Sequence, residues 1–484
     1  MFSTCLASRV EIFEDNIYRI KVGRFLSILI LNIKIMKRIN LKQEEGYILP
    51  YLLVAFLLIT TTLALTVNLF YFYNKYEIKK INKKKLELAC SSAIQQFISQ
   101  NRGKIKADYT LIIDSTEVNL ACRQKGLYLQ VSAFAKNRLD STLVTYLLAE
   151  RISQPFENAV VISRSSLNAV VAGKTKVVGD IVGSSNNYKM ENLPGVGKAS
   201  GKWIEGKTKI DEMIPQRLYA DSLFLNVVSQ KNKIESSRIK TYNGSITLDS
   251  NTFKHYDPLK CFYVKGDLTI NGKLLDEKRR AQQIFVEGKT RIEANTKTNI
   301  GLEIYCDSTT IISPGCEIKN LLLYSKSNLI ISRDVSCKNV QFFSERGIEC
   351  DKVVMNYPST LCVYINTKDA AKQTSKIEIK DSRINGSILL LTTEPGTNSN
   401  KSKILIKEST VQGIVYSENN TELYGSVFGT VYTNSFLFYK KPTEYYNWLV
   451  DFNINRKKLD GLYLQPLGFT AVPKLAILRE KWEF

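Results

Sequence analysis

The residues best placed to do chemistry are Glu287, Asp307, Lys326 and Glu345, each standing three residues after the start of a recurring apolar phrase. If the phrases stack, the four side chains form one column with steps of about 4.8 Å. Adjacent carboxylates at that spacing can hold a cation or share a proton. Lys326 can equally neutralise Asp307 and Glu345, which makes the column a solvated ladder of alternating charge. Asp334 and Asp351 occupy no equivalent position, so no acid–base pair of the glycosidase kind emerges. The single histidine, His255, lies in the turn-like stretch Lys254–Pro258, and its solitude removes most Ser-His-Asp and Cys-His mechanisms. Ala172-Gly173-Lys174-Thr175 has the tail of a phosphate-binding loop, but Asn168 stands where the leading glycine is needed. The nine cysteines (Cys5, Cys90, Cys122, Cys261, Cys306, Cys316, Cys337, Cys350 and Cys362) contain no CxxC pair, and with one histidine they form no zinc set. The expectation is a protein that is not an enzyme and holds no metal or cofactor.

The phrases that would carry the column read Ile284-Phe285-Val286, Ile304-Tyr305-Cys306, Leu323-Tyr324-Ser325, Phe342-Phe343-Ser344 and Val363-Tyr364-Ile365, at steps of 20, 19, 19 and 21 residues. A period of about twenty, with alternating runs such as Lys376–Lys380, marks a solenoid whose units bury a face only by stacking. Gly288, Gly315, Gly347, Gly386 and Gly413 punctuate the runs and can turn corners where a side chain clashes. A right-handed parallel β-helix fits; a β-sandwich needs no such regular step. The segment Asn158–Gly183 has the same character, so the solenoid is expected to begin near residue 158, break at Ser184–Lys209 and resume near residue 240.

Ile48–Tyr73 is a 26-residue run without a charge, longer than the roughly 20 residues a spanning helix needs. Before it lies Met36-Lys-Arg-Ile-Asn-Leu-Lys-Gln-Glu-Glu-Gly46, a short basic leader ending in glycine. This segment resembles the leader of type IV prepilins and pseudopilins. The resemblance implies cleavage after Gly46 and Tyr47 as the mature N-terminus. Tyr51 stands at the fifth mature position, where most members have glutamate, and this departure points to a minor pilin. An uncleaved signal anchor is the alternative. Met36 as the start gives a leader of ordinary length, with residues 1–35 as an upstream extension.

After the anchor, Leu86, Ala89, Ala93, Ile94, Phe97 and Ile98 form an apolar stripe at helical spacing, followed by strand-like runs at Ala107–Ile113, Glu117–Ala121 and Gly126–Ala135. That is the layout of a pilin-like head and of many α+β units. Cys90 and Cys122 bracket it; an exported protein could join them as a disulfide, and two buried thiols are the equal alternative. The whole is read as mainly β: leader 1–47, transmembrane helix 48–73, small α+β unit 74–155, β-helix 156–438 and C-terminal cap or tail 439–484. The Gly-x-Val/Ile-x-Gly phrases resemble those of bactofilins, whose β-helices stack into filaments.

Lys75, Lys79, Lys80, Lys83, Lys84 and Lys85 follow the helix and by the positive-inside rule favour a cytoplasmic C-terminal side. The basic residues of 1–35 reverse that balance, and pilin-like proteins export this side. The expectation is a single-pass inner-membrane protein, mostly extracytoplasmic. Partners expected are the lipid bilayer through residues 48–73, other pilin-like subunits or a second β-helix, and, from the net charge of +21, an anionic glycan or other polyanion. Abundant Lys, Asn and Ile also fit an AT-rich coding bias. The alternatives are a β-helix carbohydrate-active enzyme, with a carboxylate cluster in an open groove, and a cytoplasm-facing scaffold.

Overall fold

The computed structural model describes residues 48–100, 108–138, 140–164, 168–185, 187–199, 201–218, 221–229, 239–254, 261–275, 282–366, 375–395, 402–470 and 472–479. The chain forms two compact units divided at Lys80 and Ile81. A single helix, α1 (Ile48–Gln100), runs through that boundary. In the first unit it is the uncharged run, exposed along Leu52, Phe56, Leu63 and Phe70, and it is long and apolar enough to cross a membrane. Its polar exceptions are satisfied within the helix: the hydroxyls of Thr60, Thr61 and Thr66 donate to carbonyls one turn earlier at 2.8–2.9 Å.

In the second unit the stripe Leu86, Ala89, Cys90, Ala93, Ile94 and Phe97 is buried on one face of an antiparallel meander. The meander is β1 (Asp108–Ile113), β2 (Thr116–Lys125), β3 (Tyr128–Lys136) and β4 (Ser141–Arg151). Val118, Leu120, Leu129, Val131, Ala133 and Leu148 face the helix. Two late strands, β5 (Leu464–Gln465) and β6 (Leu475–Arg479), return to pair antiparallel with β4. Everything from residue 152 to 463 is therefore inserted between neighbouring strands of one small sheet. The expected tail 439–484 is not a separate cap, because its strands complete the ladder and then this sheet.

The insertion is a parallel β-helix. Successive phrases pair parallel and in register: Phe262↔Ile284↔Ile304↔Leu323↔Phe342. Inward residues such as Ile284, Ile304, Leu323, Leu329, Ile348 and Ile377 form a continuous core. Phe342 pairs with Leu361, so the fifth phrase is Leu361-Cys362-Val363, two residues earlier than the spacing suggested. A slip of two preserves the alternation of faces, which is why the apolar pattern alone could not detect it.

The stacking order also differs from the expected one. Val160–Ile162 does not precede Ile239–Tyr242 in the ladder. It pairs with Val431–Thr433 at the opposite end, then with Ile181–Gly183, which pairs with Thr208–Ile210. The chain thus builds the last rungs first. It then travels back along the outside of the solenoid and starts coiling at Ile239. The return strap leaves fixed points on the way. Tyr432 donates to the Pro215 carbonyl, Leu218 N–H donates to Tyr416 Oη at 2.8 Å, and Arg217 donates to the Thr392 carbonyl. Helix α2 (Asp221–Val228) then stacks Phe224 on Tyr364 at 4.9 Å between ring centroids. Aromatic residues of the rung phrases (Phe285, Tyr305, Tyr324, Phe343, Tyr416, Tyr432) point out of the core and are buried in a second apolar layer with the strap's Phe224 and Val227. At the first rung, Phe253 of the short helix α3 (Ser250–Lys254) packs into the core.

Candidate functional site

The most developed polar site is the seam on which the helix-backed sheet meets the solenoid. One outward column of the ladder, in register, is Gln283, Glu303, Leu322, Gln341 and Thr360. The β2–β3 turn of the sheet reads this column step by step. Lys125 Nζ contacts Glu303 Oε1, with both side chains buried. Gln341 receives Leu127 N–H on Oε1 at 2.8 Å and donates Nε2 to the Lys125 carbonyl at 3.1 Å. Tyr128 Oη and Thr360 Oγ1 lie 3.0 Å apart. Gly126 sits between these contacts at φ +61°, and a Cβ there would come within 2.1 Å of Gln341 Oε1.

Glu303 is held from all sides: Gln283 Nε2 donates at 2.6 Å, Arg123 Nη2 lies 3.6 Å away, and Tyr305 Oη donates at 3.5 Å. Burial by itself would raise the Glu303 carboxyl, but Lys125 and Arg123 outweigh it and the group falls to about 2. Burial lowers Lys125 overall, against the opposing pull of Glu303; the direct contact with Glu303 favours its ammonium form. The arrangement is a lock between two substructures, with no raised carboxyl and no open space for a substrate. The sequence carried one overlooked signal of it: Glu303 stands between Leu302 and Ile304 inside an otherwise apolar strand.

The column Glu287, Asp307, Lys326 and Glu345 exists, each backbone N–H bonding to the rung before it. Its carboxylates are engaged locally: Tyr263 donates to Glu287, and Tyr324 donates to Glu345. Among the described residues, no group of three or more His, Cys, Asp or Glu is gathered to hold a metal ion. Gly46, Tyr47 and His255 lie outside the described residues. Lys174 N–H donates to Asp451 Oδ1 at 2.8 Å, so the Gly173 turn is a structural corner.

The proposed pairing of Cys90 and Cys122 is corrected: both are free thiols in the helix–sheet core. Cys90 contacts the backbone of Ala135, whereas Cys122 pairs with Val131. Four residues along a strand separate those positions by about 13 Å, beyond disulfide reach. Burial pushes both thiols up to about 11. In native protein an alkylating reagent is expected to modify the half-exposed Cys122 and Cys261 and to spare buried Cys90, Cys316, Cys337, Cys350 and Cys362 until denaturant is added, as read by mass spectrometry. Protection of Cys122 by a disulfide in native protein would contradict this.

An open groove on a second face is lined by Ile330, Arg333, Glu349, Asp351, Glu378 and Lys380. Lys376 lies 3.5 Å from Glu349 and also contacts Glu378, while Lys380 lies 2.5 Å from Glu378. Burial would raise Glu378, but the two lysines hold it below the ordinary carboxylate range. A general acid would need the opposite shift.

Glu150 on β4 is the contrasting carboxyl. It is 1% exposed, its Oε2 has no partner, and Thr470 donates to Oε1. Both returning strands pair here, Gln465 and Leu475 each opposite Glu150. Burial raises its pKa above the unfolded value of about 4.3. The native state therefore binds this proton more tightly, and stability falls as pH rises from the unfolded value through the folded one. Denaturant midpoints are expected to drop between pH 5 and pH 8 in the wild type and to drop less in Glu150→Gln; equal slopes would refute the assignment.

No protein-family model matches the sequence, and no curated protein matches it. Among solved structures, the competence-associated pilin ComZ from Thermus thermophilus aligns over 82% of this chain and 97% of its own, at 8% identity and a TM-score of 0.17. A likeness of that size carries no argument about fold or function.

Proposed function

We propose that this chain is a membrane-anchored, non-enzymatic surface protein of the pilin-like kind, which displays a β-helix as an insertion in its helix-backed sheet. One observation carries the reading. A single helix is lipid-compatible along its first half and packs by its second half on an antiparallel meander, whose last strands return after the solenoid. A helix of this kind serves as both anchor and core element, which suits a displayed head. The processing site after Gly46 and association with other pilin-like subunits belong to the same proposal.

The lysine run after the apolar segment and the free state of all eight described cysteines favour a second reading, a cytoplasm-facing scaffold. The lysine-neutralised groove weighs against a carbohydrate-active enzyme. The test is protease treatment of intact bacterial cells expressing a C-terminally tagged chain, with and without opening of the outer barrier. Loss of the tag from intact or outer-permeabilised cells supports export. Protection that ends only when the inner membrane is lysed overturns it in favour of the scaffold.

A further inference from the structure

We propose that the lysine run of α1 just past the apolar segment binds acidic phospholipid headgroups, so that the anchor gathers anionic lipid around itself. The inference rests on the reading of residues 48–73 as membrane-embedded. It goes beyond that reading by assigning a lipid class to residues outside the segment. Between Asn74 and Leu86 stand six lysines, Lys75, Lys79, Lys80, Lys83, Lys84 and Lys85, against one carboxylate, Glu77. All six lysines are exposed. Glu77 lies 4.0 Å from Lys80, a weak surface pair that leaves most of the charge unanswered.

The depth of the lysines follows from the helix. α1 is continuous through this stretch, so each residue advances about 1.5 Å along its axis. Lys75, Lys79 and Lys80 therefore lie about 3–10 Å past Tyr73. The headgroup layer beyond the hydrocarbon core is about 5–8 Å deep, and a flexible lysine stem spans the remaining distance by snorkelling. The aromatic residues around the end of the apolar run fix the same boundary. Tyr71, Phe72, Tyr73 and Tyr76 are 62%, 54%, 62% and 64% exposed, and rings in that position mark the level of the headgroups.

The partner follows from that depth. Lipid phosphates are the anions that an ammonium group meets there. A zwitterionic headgroup carries its own cation beside the phosphate, whereas an acidic headgroup offers net charge for the lysines to match. Lys83, Lys84 and Lys85 come about 15–18 Å past Tyr73 on the same helix and add attraction that salt screens. A soluble polyanion suits the site less well, since the lysines nearest Tyr73 stand within the headgroup layer rather than above it.

The test uses the full chain carrying Tyr73→Trp in vesicles of equal parts phosphatidylcholine and phosphatidylglycerol, with bromine on the acyl chains of one lipid or the other. Bromine quenches tryptophan on contact, so the two quenching levels report which lipid surrounds residue 73. The chain without the substitution supplies the background from its own tryptophans. Brominated phosphatidylglycerol is expected to quench about twofold more strongly than brominated phosphatidylcholine in low salt, and the excess to vanish in about 1 M NaCl. Replacing Lys75, Lys79 and Lys80 by Gln removes most of the excess, and replacing all six removes the rest. If the sixfold variant does not reconstitute, the threefold variant and the salt series carry the test. Equal quenching by the two lipids overturns the proposal and leaves the anchor standing; quenching by neither overturns the anchor as well. An excess that survives the substitutions also overturns it, since another surface then selects the acidic lipid.

Discussion

Glu303→Gln is expected to destabilise the second unit by about 3–5 kcal/mol, because it strands the buried Lys125 ammonium without its counter-charge. Lys125 and Glu303 are both more than nine-tenths buried and in direct contact. Glutamine fills the same space and keeps its bond to Gln283, so the loss reports charge rather than packing. Urea unfolding followed by circular dichroism measures it, and a loss below about 1 kcal/mol would contradict the lock. Combining Glu303→Gln with Lys125→Met removes both charges and is expected to recover most of the stability, a coupling that a double-mutant cycle isolates. The pH dependence has a definite sign. The folded pKa of Glu303, about 2, lies below the unfolded value of about 4.3. Its contribution is therefore complete above the unfolded value and is lost as pH falls through the folded one. Wild-type protein should lose stability between about pH 4 and pH 2 at this group, and Glu303→Gln should lack that component.

Gly413→Ala is expected to cost about 3 kcal/mol or more. Gly386, Gly413 and Gly429 stack at one corner of the ladder, where each rung's backbone presses on the last. A Cβ at Gly413, whose φ is +148°, would come within 1.9 Å of the Gly386 carbonyl oxygen. At Gly386 the same atom would come within 1.9 Å of the Ser359 oxygen, and at Gly429 within 1.8 Å of the Gly413 oxygen. The contacts are backbone to backbone, and register pairing of Gly386 with Gly413 prevents a local retreat. Gly201 is the control: nothing lies within 4 Å of an added Cβ there, so Gly201→Ala should change the denaturant midpoint little. Similar midpoints for the two variants would refute the close approach.

Much of this was legible because it is local or periodic. The uncharged run Ile48–Tyr73 gives a spanning helix by length and composition. The stripe from Leu86 to Phe97 gives the buried helix face, since helical spacing repeats whatever packs against it. The twenty-residue phrase gives the solenoid, and Gly386 and Gly413 were marked as corners by falling between apolar runs.

What the sequence could not decide were pairings between distant segments. Val160–Ile162 carries the same apolar pattern as any rung, so nothing in it distinguishes stacking before Ile239 from stacking after Val431. The choice is made by the strap, whose anchors at Tyr432, Tyr416 and Tyr364 exist only once the ladder has formed. The separation of Cys90 from Cys122 depends on where the helix crosses the sheet. The seam pairs Lys125 with Glu303 across 178 positions, and a lone charge in a strand does not name its partner. The sequence by itself determined the membrane-length helix, the repeat and its corners, because side-chain period and backbone sterics act within a few residues. Tertiary structure alone decided the order of the rungs, the return of the chain to its own first sheet and the buried charge lock, because those depend on which equivalent surfaces meet when the chain closes.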